Sequence, residues 1–218
     1  MNPLQPEEFP MTALERLKYI ALDPVDIRRN FLLLTRFHFS DSVHYGPMTE
    51  LSDLVYTRNP TTNNTLSIEL SFINPMEEGK NAENLPAIRV HGGDWVFKKA
   101  DLGQHAKRTD AGEELARQEV TTAVRIVHMA RSPEVAAMLA TQTVGFYGAI
   151  GRDLIHAMNL TSFDIAQMSN VNIMTGEDKQ NITYRVDVLI NLTFNCIWSS
   201  LIESKRIKTI SFSALKQL

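Results

Sequence analysis

Six histidines, one cysteine and a spaced triplet of glycines are the residues of this 218-residue chain whose types could do chemistry. A zinc site needs His or Cys at short fixed spacing, as in H-E-x-x-H, so that two ligands leave one stretch of chain toward one ion. His38, His44, His91, His105, His128 and His156 show no such spacing, and Cys196 has no second cysteine to join. No metal site and no internal disulfide are expected, and Cys196 reads as a small apolar side chain in a strand, suited to a reducing compartment. No G-x-S-x-G elbow is present, so nucleophilic catalysis has no recognisable centre. Carboxylates such as Asp94, Asp164 and Asp187 could act as acid and base only by meeting in space, and they read as surface or edge-strand charges. The expectation is no catalytic residue, no cofactor and no enzyme, with a hydrolase built from scattered His and Asp as the alternative of a different class.

The glycines Gly145, Gly148 and Gly151 invite a phosphate-loop reading. That chemistry needs backbone amides clustered at a strand-to-helix turn, with a following Lys and Ser or Thr in the P-loop case. These glycines lie within a helical segment and have neither context. At spacing i, i+3, i+6 they share one side of the helix and remove bulk from it, at about 1 kcal/mol of lost helix propensity each. They are therefore candidates for close packing, within the chain or between subunits, and Trp198 is a further packing candidate on a strand.

The elements that must position these residues follow from periodicity. A span over 132–158 predicts a helix: Ser132 is an N-cap, Pro133 stands at the first helical position and Glu134 opposes the positive helix end. Val135, Met138, Leu139, Phe146, Ile150 and Leu154 form its apolar stripe, so it packs one face on a sheet. Residues 26–39, "DIRRNFLLLTRFHF", predict a second helix entered through Pro24. "TLSIELSFI" alternates as a half-buried strand, and "PAIRVHGGDWVFKK" offers two short strands around Gly92 and Gly93. The span 119–130 is strand-rich, and the polar stretch before it reads as a loop or as an extension of that strand. In "NITYRVDVLINLTFNCIW" every even position from Ile182 to Trp198 is apolar or Cys. That strand would span roughly 55 Å, more than a compact core of this size needs, which points to contact with another chain or an arm.

These elements predict an α+β fold: a mixed or antiparallel sheet with the 132–158 helix and an N-terminal helix packed on one face, and extended terminal arms. The expected organisation is an arm over 1–25 with Pro3, Pro6, Pro10 and Pro24, a domain over 26–200, and a C-terminal strand or arm over 201–218. A net charge of -3 supplies no broad positive field for a nucleic-acid backbone. The first residues carry acids and prolines where a secretory leader would carry positive charge and an apolar run, and no stretch approaches a membrane helix. Synthesis in the cytoplasm is expected, and the N-x-S/T matches at Asn63, Asn159, Asn181 and Asn191 read as incidental.

The order of elements, with "LPAIRVHGGDWVF", "VRIVHMARSPEVAAMLA" and "ITYRVDVLINLTFNCIW", resembles the tail terminator (neck) proteins of tailed bacteriophages over residues 26–200. In that family a "P-A-I-x-V" strand, a strand leading through a serine turn into a helix, and a final alternating strand recur. The resemblance implies a structural virion protein, a homo-oligomeric ring and usually a hexamer, that sits on the last tail-tube ring, stops tube growth and joins the tail to the head connector. Its implied partners are copies of itself, the tail tube protein and the head-tail connector or adaptor protein. The resemblance further implies that DNA passes through the lumen without specific binding and that no membrane is involved. Another head-tail joining, tail-completion, baseplate or tube component is the neighbouring alternative. The N-terminal arm and the segment after Trp198 exceed a minimal terminator, which implies docking arms for other virion proteins.

Overall fold

The computed structural model describes residues 24–41, 54–57, 66–72, 84–98, 113–175 and 182–201, with side chains over 26–41, 54–57, 66–72, 84–98, 118–175 and 182–195. Among these the chain forms an α+β fold of two helices and seven strands: α1 (Pro24–His38), β1 (Ser67–Leu70), β2 (Ala87–Gly92), β3 (Val96–Phe97), β4 (Glu113–Ala130), α2 (Pro133–Ala157), β5 (Leu160–Met168), β6 (Asn172–Thr175) and β7 (Ile182–Leu201). The strands make one mixed sheet in the order β1-β2-β4-β7-β5, with β3 paired to β4 and β6 to β7. Residues 1–23 and 202–218 of the expected arms and the side chains of Cys196 and Trp198 lie outside the described residues, while Pro24 and Val25, expected in the first arm, belong to α1. The described residues up to Val96 and from Thr121 to Phe194 form one compact unit, and Phe97–Val120 with those from Asn195 form a second.

Each helix begins and ends where its sequence dictates. At the start of α2 the Ser132 hydroxyl accepts from the Val135 backbone N–H and donates to the Glu134 carboxylate, with Pro133 in the first turn. That hydroxyl, followed by the backbone N–H of Glu134 itself, holds the Glu134 carboxyl below its ordinary range. At the other end Asn159 takes φ 52°, the left-handed conformation that stops a helix and that Asn tolerates better than most residues. The helix α1 starts at Pro24 and carries Asp26 in its first turn and Arg36 and His38 in its last, each complementing the local end of the helix dipole.

The core lies between the helices and one sheet face. Val124 and Ile126 of β4, Ile88 and Val90 of β2, and Val186, Val188, Ile190, Leu192 and Phe194 of β7 are all fully buried. From Val186 to Phe194 the even-numbered alternation of β7 thus becomes one packed face, with each buried aliphatic side chain contributing about 1.5–3 kcal/mol. Both helices cover that face, since Tyr147 of α2 stacks on Phe31 of α1 with ring centroids 5.2 Å apart. The opposite face is also closed at one end, where Ala87, Val127 and Met129 cluster with Leu85.

Two expected details differ. The stripe that α2 buries runs through Ala136, Leu139, Ala140, Thr143, Tyr147, Gly151, Leu154 and Ala157, while Val135, Met138, Phe146 and Ile150 are only partly buried. Thr143 and Tyr147 sit on the buried line because each finds a hydrogen-bond partner there. At β1, Leu66 just before the strand and Ile68 within it are buried as the alternation predicts, but Phe72 lies past the strand end, 81% exposed, with the Arg28 guanidinium 5.7 Å from its ring centroid.

Candidate interaction surface

Along the edge strand beside β7 the sheet leaves apolar surface uncovered, as it also does at Val96 and Phe97 of β3. β5 and β6 both pair antiparallel with β7. Their register slips by one residue between Leu160 and Ser162, between Ile165 and Gln167, and again between Met168 and Asn172. At the third slip the Ser169 N–H donates to Asp187 O at 2.8 Å while the Asp187 N–H donates to Ser169 Oγ at 2.9 Å, a side-chain oxygen standing in for a backbone carbonyl. Each one-residue bulge reverses the facing of everything beyond it. The result puts Phe163, Ile165, Met168 and Ile173 opposite Leu192, Ile190, Val188 and Tyr184, on the face that the helices cover.

Only half of that strip is covered. Phe163 and Ile165 pack under α2, whereas Met168 (41%), Val171 (40%), Ile173 (64%) and Ile182 (47%) are exposed. Isolated exposed apolar residues are ordinary, but a run of four on one hairpin is the kind of patch that marks an interaction site. The bulges also twist and break the outer edge of β5, which limits indiscriminate strand pairing along it.

The three glycines of α2 do different things. A Cβ on Gly151 would meet Phe163 at 3.0 Å, so this glycine lets β5 rest on the helix backbone. At Gly148 the nearest atom, Ile165 Cδ1, is an ordinary 4.0 Å away, and at Gly145 nothing lies within 4 Å. Gly145 instead borders an open, mainly apolar depression of about 310 Å³ with Phe37, His38, Gln142, Phe146 and Ala149, in which the His38 ring stacks on Phe146 at 4.4 Å. The backbone of Trp198 belongs to β7. Trp95, on the turn between β2 and β3, packs edge-to-face on Phe194 at 5.0 Å.

Residues weighed for chemistry are dispersed. His128 is buried between β4, β7 and α2, with Nδ1 at 3.2 Å from Val186 O and Nε2 at 2.7 Å from Thr143 Oγ1. Burial holds its pKa down to about 4, against the raising effects of the Val186 carbonyl and Asp187. Asp187 receives the Arg185 guanidinium in a fork of two 2.6 Å bonds and Arg125 at 3.4 Å. Asp164 pairs with Asn191, four residues along β7 from Asp187, and Asp94 is exposed after β2. Among the described residues no three His, Cys, Asp or Glu side chains form a group that could hold a metal ion. Burial pushes the Tyr147 phenol up, and its hydroxyl donates to Phe31 O at 3.0 Å beside Thr35 Oγ1.

No helix among the described residues is long and apolar enough to cross a membrane. A scan against protein-family models matches none, and no curated protein matches the chain. The apolar hairpin strip was not legible in the sequence, because "SFDIAQMSNVNIM" alternates only once the bulges are known.

Proposed function

We propose that this protein is a self-associating structural component of a tailed-phage virion, acting at the neck as a tail terminator. In this reading copies of the chain, usually six, close into a ring on the last ring of the tail tube. The ring stops tube growth and presents its other side to the head connector, and DNA slides through the lumen without specific contacts. The observation that carries the reading is the uncovered half of the hairpin strip, Met168, Val171, Ile173 and Ile182, continuous with the half that α2 buries. A closed ring needs a heterologous contact, in which one patch of each copy meets a different patch of the next. The strip offers the first patch, and the apolar depression beside Gly145 offers a second of different shape.

The resemblance adds support of a separate kind. Its three stretches fall on β2 with β3, on the turn from β4 into α2, and on β7, the centre of the sheet and its long helix. The test is imaging of particles assembled with and without this chain. Omitting it is expected to leave tail tubes of uncontrolled length that fail to join heads; tails of normal length attached to heads in its absence would overturn the proposal.

A further inference from the structure

His128 is fully buried, and both of its ring nitrogens touch polar atoms, Val186 O at 3.2 Å and Thr143 Oγ1 at 2.7 Å. The same Thr143 hydroxyl lies 3.1 Å from Leu139 O, the carbonyl one helical turn back. Counting protons separates the states available to this group. A carbonyl only accepts, so Nδ1 carries the hydrogen, and a neutral ring must then accept at Nε2. Thr143 has one hydroxyl proton, and giving it to Nε2 leaves none for Leu139 O. The other tautomer would set a bare Nδ1 lone pair against the Val186 carbonyl. A doubly protonated ring changes the count: Nδ1 donates to Val186 O, Nε2 donates to Thr143 Oγ1, and the hydroxyl turns to Leu139 O. Only in that state does each of the three contacts hold a proton.

We propose that His128, Thr143 and the Leu139 carbonyl form a proton-driven hydrogen-bond switch, in which protonation of the imidazole swings the Thr143 hydroxyl to Leu139 O while β4, β7 and α2 stay clasped. Among the described residues the surrounding charges are few. From β7 Asp187 attracts the imidazolium, although Arg185 of the same strand and Arg125 of β4 share that carboxylate. From α2 the Tyr147 phenol lies one turn beyond Thr143 and is kept neutral by burial. The cross-strand neighbour on β2 is Ile88, which carries no charge, and α1 contributes Thr35 through its contact with Tyr147. Desolvation therefore opposes the switch and confines it to acid, with the network resisting that opposition.

Nitrogen-15 NMR of histidine-labelled full chain tests this with Thr143→Val, which keeps the shape without the hydroxyl, and Thr143→Ser, which keeps the hydroxyl. At pH 7 the proton is expected on Nδ1. The His128 midpoint is expected to fall by about one pH unit in the valine variant, a tenfold loss of proton affinity, and to recover in the serine variant. An Nε2–H tautomer at pH 7, or a valine midpoint equal to that of the wild type, overturns the proposal. If the valine variant does not fold, the wild-type tautomer alone decides.

Discussion

The ring of Phe163 rests on the bare backbone of Gly151, where a Cβ would come within 3.0 Å of Cδ1 and 3.1 Å of Cε1. Two elements adjacent in the chain, α2 and β5, are thereby brought closer than a side chain between them would permit. Three glycines that look alike in sequence consequently have different substitution costs.

Gly145→Ala is expected to raise stability by about 1 kcal/mol, because its Cβ enters open space and the helix gains the alanine propensity. Gly151→Leu is expected to lower stability by about 2–3 kcal/mol, since the added atoms must displace Phe163. Urea unfolding of the two variants reads the contrast directly. Equal effects at both positions would mean that β5 does not lie against the helix backbone.

The buried imidazole sets a pH dependence. The pKa of His128 is about 4 in the folded chain against 6.5 for the free group, so between those values the unfolded chain binds more protons. Stability is present in full above pH 6.5 and declines as pH falls toward 4, by on the order of 3 kcal/mol in total. His128→Gln should flatten this part of the profile. Unfolding midpoints in urea at pH 7, 6 and 5 measure it, and a wild-type profile level across that range would contradict the burial.

Arg185 has a side chain only 5% exposed, and the Asp187 carboxylate accepts both bonds of its fork. Removing the carboxylate in Asp187→Ala takes both bonds of this fork from a buried guanidinium, at a cost of about 3 kcal/mol. The serine bulge should loosen with it, because Ser169 bonds the backbone of the same residue. Thermal unfolding of this variant should show the loss, and a change under about 0.5 kcal/mol would reassign the pair to the class of screened surface bridges.

Asn159 ends α2 in the left-handed region at φ 52°. Glycine there should match or slightly improve stability, and a β-branched valine should cost about 1–2 kcal/mol, because its Cβ and γ-methyls crowd the backbone. Calorimetry of both variants checks the order, which a fully relaxed helix end would erase.

Much of the scaffold was legible because its signals are local. Ser132 and Pro133 marked the start of α2, the glycine pair marked the break after β2, and the even positions of β7 marked a packed face. Two things were not. The bulges of β5 and β6 hide a continuous apolar strip behind an irregular pattern, since a register slip is a property of the pair of strands. Thr143 and Tyr147 are missing from the apolar stripe expected of the helix, although distant partners in β4 and α1 satisfy them on its buried line. For the polar stretch before residue 119 two readings stood open, and the start of β4 at Glu113 bears out the one that extends the strand. The candidate surface was least legible of all, because exposure is decided by what the rest of the chain fails to cover.

Self-association through the hairpin strip is the claim on which the functional reading depends. Native mass spectrometry of the purified chain, beside Ile173→Glu, tests it most directly. The account predicts a closed ring, six copies in the resembling family, that the glutamate variant reduces to folded monomers. A wild-type chain that stays monomeric at every concentration and ionic strength, or a variant that assembles unchanged, would contradict it.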